Sequence, residues 1–265
     1  MFKNFLLVFF GIYAFLSLVL LIAQRKIIYP VRKGLPSDLD LSAKQLSYWQ
    51  QAAPEYRGFI SQEPDQPVKG TIIVFHGNGD RADKGQYYAA ALNAQGYRVL
   101  LAEYPGYGER VGQPSEKSLV QDATEIVTAI HQEFGEPIYL WGTSIGSGVV
   151  ASTSSDPQLP IAGVVLITPW DSFGNLVQHK YPLLPVRSLL LDKYQNIENL
   201  NSFGGKVAIL VANHDRVVPT KFGLNLYKAI ANPKKLWVFE DSGHSNWPIA
   251  PDQSWWREVV EFLEE

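Results

Sequence analysis

Six short apolar runs constrain this chain more than any other feature: Thr71–Phe75, Tyr97–Ala102, Pro137–Trp141, Ile161–Thr168, Lys206–Val211 and Lys235–Phe239. Short runs that stay apolar without alternating are the pattern of strands covered on both faces. Helical patterns lie between them. Ala82–Gln95 reads as one. Ser115 can cap a second, in which Leu119, Ala123, Ile126, Val127, Ile130 and Phe134 share a face and Gly135 ends the run. A third runs through Val149-Val150-Ala151, a fourth covers Thr220–Ala231 and a fifth lies near Asp252–Leu263. Strands alternating with helices give a mostly parallel, doubly wound α/β sheet with helices on both faces. Ahead of it, the polar stretch from Tyr29 to Gly70 holds an opening strand or two around Ala52–Ile60 and a turn at Glu63–Pro67. No internal repeat or second domain is visible.

The N-terminus departs from this pattern. Phe5 to Ala23 is a run of 19 residues without charge. As a helix it would rise about 28 Å, close to the hydrocarbon thickness of a bilayer. A cleaved signal peptide would have a shorter apolar region ending in small residues, whereas Leu21 stands two positions before Ala23. The expected organisation is therefore a membrane anchor over 1–26, a connecting segment over 27–54 and a catalytic domain over 55–265. Arg25, Lys26, Arg32 and Lys33 outweigh Lys3, which favours a cytoplasmic body by the positive-inside rule but leaves the face open.

In a parallel sheet, functional loops lie beyond the carboxyl ends of the strands. Here those loops read His76-Gly77-Asn78-Gly79, then Glu103-Tyr104-Pro105-Gly106-Tyr107-Gly108, then Gly142-Thr143-Ser144-Ile145-Gly146, then Asn213-His214-Asp215, then Ser242-Gly243-His244. A serine, an acid and a histidine thus reach one edge of the sheet in the chain order of α/β-hydrolases. The glycines at 142, 146 and 148 also resemble a dinucleotide-binding turn. That reading fails on position, because such a turn opens the first strand–helix unit and Gly142 follows two earlier strands. A Tyr-x-x-x-Lys pair occurs only at Tyr29–Lys33, upstream and interrupted by Pro30.

With five motifs in order, the chain resembles the α/β-hydrolase-domain family, in its membrane-anchored subgroup with little lid. The likeness covers residues 55–265, and the anchor with its Ile27-Ile28-Tyr29-Pro30 opening is similar as well. The resemblance implies an α/β-hydrolase fold and a Ser-His-Asp triad. Ser144 would be the nucleophile on a strained strand-to-helix turn, and His244 the general base and then acid. Asp215 would orient the imidazole, since Asn213–Pro219 matches the family's acid segment. Asp171 is the rival acid, because some lipases draw theirs from the loop after the preceding strand. The oxyanion hole would use the backbone N–H of Ile145 and, by the family's pattern, that of Asn78. Four other histidines fit the base role less well. His131 lies on a polar helix face, His179 in an irregular segment, His214 next to the acid, and His76 in the oxyanion loop, which it would brace.

Fewer than 40 residues separate Thr168 from Lys206, too few for a large cap. Its leucines either pack a short helix onto the sheet or, with Trp170, Phe173 and Trp247, line an acyl pocket. The expected activity is hydrolysis of carboxylic esters or thioesters of acyl-lipid type through an acyl-enzyme. A serine peptidase of the aminopeptidase kind and a non-catalytic binding protein are the alternatives. No cofactor is expected. Cysteine is absent, and no His or carboxylate cluster has metal-ligand spacing. The net charge of −3 comes without a basic stripe, so no nucleic-acid partner is expected.

Overall fold

In the computed structural model the chain is described over residues 2–51, 53–135 and 137–265, apart from the side chain of Phe5. Met1 of the anchor range and Ala52 of the expected opening strand lie outside these. An eight-stranded sheet forms the centre. Its strands are β1 Leu46–Tyr48, β2 Gly58–Ser61, β3 Gly70–Phe75, β4 Tyr97–Ala102, β5 Ile138–Thr143, β6 Ile161–Ile167, β7 Lys206–Ala212 and β8 Lys234–Phe239. The spatial order is β1-β2-β4-β3-β5-β6-β7-β8. β1 and β2 pair antiparallel, as do β2 and β4, and the remaining neighbours are parallel.

The helices are α1 Phe2–Ile28, α2 Asp38–Ala43, α3 Gln86–Asn93, α4 Glu116–Phe134, α5 Ile145–Ser154, α6 Phe173–Lys180, α7 Val186–Leu189, α8 Asn196–Asn201, α9 Lys221–Ala229 and α10 Ser254–Glu264. Successive side chains of a strand point to opposite faces, and the core divides accordingly. Ile73 and Phe75 pack with residues of α4 and α5 on one face. Ile72 and Val74 pack with residues of α3 and α10 on the other. α4 shows why local signals succeed. Ser115 accepts from the N–H of Ser118 in a reciprocal capping box, and Gly135 follows the last turn at φ 82°, which a side chain would resist.

Two expectations are corrected. The first strand is Leu46–Tyr48, earlier than the expected start, because Tyr48 meets Tyr56 and Phe59 and pairs with Phe59 across the antiparallel hairpin. His179 lies on α6, not in an irregular segment. Ser172 caps that helix by accepting from the Asn175 N–H. The region from 168 to 206 thus forms three short helices: α6 and α7 make a small cap beside the cavity at the carboxyl end of the sheet, and α8 packs along α5.

α1 is long and apolar enough to cross a membrane, with a mean hydropathy of 2.8 over its best window. It extends past the expected anchor end at 26 to Ile28.

Candidate active site

β5 delivers the chain to Ser144, which has φ 54° and ψ −114°. A non-glycine residue at positive φ is strained. The surroundings hold it there: Ser144 N–H donates to Ile167 O at 2.8 Å, and its carbonyl accepts from the Ser147 hydroxyl at 2.6 Å. A Cβ on Gly142 would overlap the Gly146 carbonyl, and one on Gly148 would lie 2.7 Å from the Tyr194 ring. Gly142 therefore lets helix α5 approach the sheet closely, and Gly148 lets the Tyr194 ring pack against α5.

His244 and Asp215 come from the loops after β8 and β7. His244 Nδ1 lies 2.8 Å from Asp215 Oδ2, and the carboxylate is almost fully buried. Asp215 Oδ1 accepts from the N–H groups of Val217 and Val218, both at 2.8 Å. A carboxylate so placed can only accept, so Nδ1 donates the ring proton to it, and in the neutral ring the lone pair is then on Nε2. The histidine loop is pinned by Gly243 N–H donating to Asn246 Oδ1 and by the Trp247 indole donating to His244 O. Asp171 is occupied elsewhere. It accepts from the Ser172 N–H at 2.6 Å and from the Asn225 amide at 3.4 Å, and it lines a separate open cleft with His179 and Lys221.

One cavity of about 680 Å³ gathers Ser144, His244, Asn78 and Ile145. Trp170, Phe173 and Trp247 line it as well. Among the described residues the Ser144 hydroxyl and the His244 ring form no direct hydrogen bond. The N–H groups of Asn78 and Ile145 have no backbone acceptor there either. Lys180 and Asp80 also line the cavity, whose remaining wall is largely aliphatic and aromatic.

The oxyanion-loop histidine is held on both ring nitrogens. His76 Nε2 lies 2.9 Å from Glu103 Oε1 and Nδ1 lies 2.8 Å from Gly77 O. Burial alone would push the His76 imidazole down, but the hydrogen bond and charge of Glu103 outweigh it and raise the group above its ordinary value. Glu103 also accepts from the Ala82 N–H, and the Tyr104 hydroxyl donates to His76 O.

Sequence reasoning missed the residues that hold Asn78. Its side-chain amide donates to the Ile28 carbonyl at the end of α1, and its Oδ1 accepts from the Tyr107 hydroxyl at 2.9 Å. The Tyr104–Gly108 loop stood out as a motif without an assigned role. Nothing local marks Ile28, because its partner is 50 residues away.

A parallel sheet with this strand order, a serine at positive φ after its central strand, and a His–Asp pair from the last two strand ends define an α/β-hydrolase fold. The chain belongs to the α/β-hydrolase family: residues 66–197 match the family described as serine aminopeptidase, S33. An uncharacterised protein of Mycobacterium tuberculosis is 35% identical over 66% of this chain and 63% of its own length. The lysophosphatidylserine lipase ABHD12 of Danio rerio is 31% identical over 62% of this chain and 48% of its own length. The aligned part thus spans about half to two-thirds of these relatives. Among solved structures, an esterase of Pyrococcus furiosus superposes with a TM-score of 0.62 at 18% identity, over 88% of this chain and 97% of its own. A monoacylglycerol lipase of Paleococcus ferrophilus gives 0.56 at 20% identity, over 76% and 96%. At that identity these two speak for the fold alone.

Proposed function

We propose that this chain is a membrane-anchored serine hydrolase of carboxylic esters or thioesters, with an acyl lipid as substrate. The observation that carries the reading is the 2.8 Å His244–Asp215 hydrogen bond on the wall of the cavity that also holds the strained Ser144. Ser144 Oγ attacks the acyl carbonyl while His244 Nε2 takes its proton. Asp215 stabilises the imidazolium. The N–H groups of Asn78 and Ile145 receive the developing oxyanion. His244 then protonates the leaving alkoxide or thiolate as the acyl–oxygen or acyl–sulfur bond breaks. Water, deprotonated by the same imidazole, cleaves the acyl-enzyme and restores Ser144. The Ser144–His244 hydrogen bond forms when substrate closes the site, as is common where the free enzyme holds the pair apart.

The aromatic lining from Trp170, Phe173 and Trp247 favours an acyl group, and the lipases among the relatives support the same class. The family description as serine aminopeptidase favours a second reading, peptide hydrolysis at a free amino terminus. The test is fluorophosphonate labelling of the full chain beside Ser144→Ala and His244→Ala. Labelling of wild type alone is expected; equal labelling of all three, or of none, removes the serine-hydrolase reading. A panel of acyl esters, thioesters and aminoacyl amides separates lipase from peptidase.

A further inference from the structure

The α1 helix does more than lead into the domain. Among its less exposed residues, Tyr13, Ser17, Leu20, Leu21, Gln24 and Ile28 recur at helical spacing and form one stripe. The cap lies against that stripe. The Tyr13 hydroxyl donates to Leu183 O at 3.1 Å. The Gln24 amide donates to Leu189 O at 3.0 Å and accepts from the Leu191 N–H at 2.8 Å. Arg25 pairs with the buried Asp192 at 3.3 Å, and the Tyr29 and Tyr194 hydroxyls meet at 3.0 Å. From Tyr13 to Gln24 the helix rises about 16 Å, so cap residues 183–191 run alongside the apolar helix for roughly half a hydrocarbon layer. Their outward side chains suit that layer: Leu183 is 86% exposed and Leu191 57%. In water such a patch is unfavourable; among acyl chains it is not.

A small apolar groove of about 80 Å³ lies between the stripe and the cap, walled by Leu20, Leu21, Gln24, Val186, Leu189 and Leu190. Ile27, Ile28, Val177 and Tyr181 line both this groove and the cavity holding Ser144. The two spaces share a wall of four side chains, none of them charged. We infer that the groove is a portal through which the hydrocarbon chain of a bilayer lipid passes from the membrane core to Ser144. The inference rests on the serine-hydrolase reading and on α1 lying in the bilayer. It narrows the substrate class to membrane-resident lipids with a long acyl chain. A short soluble ester would enter from the aqueous mouth and gain nothing from the groove.

The test uses the full chain in phosphatidylcholine vesicles and a non-hydrolysable alkyl glycerol ether with a chain-end diazirine. Photo-adducts mapped by mass spectrometry are expected on Leu20, Leu21, Val186 or Leu189. They should persist in Ser144→Ala, because binding needs no chemistry. Leu189→Trp and Leu21→Trp fill the groove from opposite walls, so one misfolded variant leaves the other informative. Each should suppress the adducts and lower the ratio of long-chain to short-chain ester kcat/KM by about tenfold, the effect of two methylenes denied burial. Leu191→Trp, which faces outward, should leave the ratio unchanged. Adducts confined to lipid-facing positions such as Phe15 and Ile22, or an unaltered ratio in both filling variants, would overturn the portal. Groove adducts without any ester hydrolysis by wild type would support the portal and sink the hydrolase reading.

Discussion

Replacing Gly146 by alanine sets two opposing effects against each other. Gly146 sits in the first turn of α5, and alanine is the better helix former by about 1 kcal/mol. A Cβ at this position would overlap the Phe75 carbonyl oxygen and lie 3.0 Å from that of His76. Both obstacles are backbone at the end of the central β3, so neither can swing aside. Overpacking of this kind costs about 1–3 kcal/mol, and rigid neighbours place it near the upper end. The net loss is then about 2 kcal/mol, or a fall in Tm of about 4–8 °C for a domain of this size. The strain enters where β3 feeds the loop of Asn78, so function should suffer more than stability. A shift on the order of 1 Å in the oxyanion loop costs about a hundredfold in rate. Gly204→Ala is the control, since nothing lies within 4 Å of a Cβ there. Thermal unfolding by tryptophan fluorescence in detergent measures the first effect, and the fluorophosphonate labelling rate the second. Should Gly146→Ala match Gly204→Ala in Tm and label at the wild-type rate, the close-approach account of this turn is wrong.

The two candidate acids are separable by Asp215→Asn and Asp171→Asn. The first is expected to cost about three to four orders of magnitude in labelling rate by disturbing the tautomer and charge of His244, and the second to leave it near wild type; the reverse ranking would exchange their roles. Glu103→Gln tests the buried pair with His76. Because His76 is raised in the folded chain, chiefly by Glu103 working against burial, its contribution to stability is full below the unfolded value of about 6.5 and drains as pH rises through the folded value. Tm should therefore fall with pH from neutrality upward in wild type and less steeply in Glu103→Gln; parallel slopes would show that His76 does not hold its proton through this pair.

What the sequence made legible was what short-range chemistry determines. Tyr97–Ala102 coincides with β4, and Ser115 and Gly135 bracket α4, because apolar runs and caps are read within a few residues. Gly142 and Gly146 around Ser144 mark the turn in the sequence, although the contacts that require glycine at 146 come from the end of β3. The β1 strand was not legible in this way. Leu46–Tyr48 is only three residues long and is defined by its partner Phe59, a contact the linear pattern does not announce. The cap was still less so. It is held by Gln24 and Arg25 of α1 reaching across to Leu189 and Asp192, over 165 or more positions in the chain. Tyr194 at φ 38° and Thr168 at φ 50° follow no turn motif and are held by tertiary packing.

The same long-range contacts change what the apolar N-terminus means. The last carbonyls of a helix have no partner within it and are satisfied by water or by donors from elsewhere in the chain. At the end of α1 that donor is the Asn78 amide, on the loop expected to receive the oxyanion. The chain then continues along the Tyr107 loop: Gly108 N–H donates to Arg32 O, and Gly34 N–H to the Glu109 carboxylate. Tyr107 closes the ring by donating to Asn78 Oδ1. Helix end, oxyanion loop and tyrosine loop therefore form one hydrogen-bonded unit, and the Arg25–Asp192 pair joins the cap to it. A tether whose only task was to keep the domain near a membrane would need none of these bonds. Their placement makes α1 a wall of the candidate active site, so the geometry of Asn78 depends on where the helix ends.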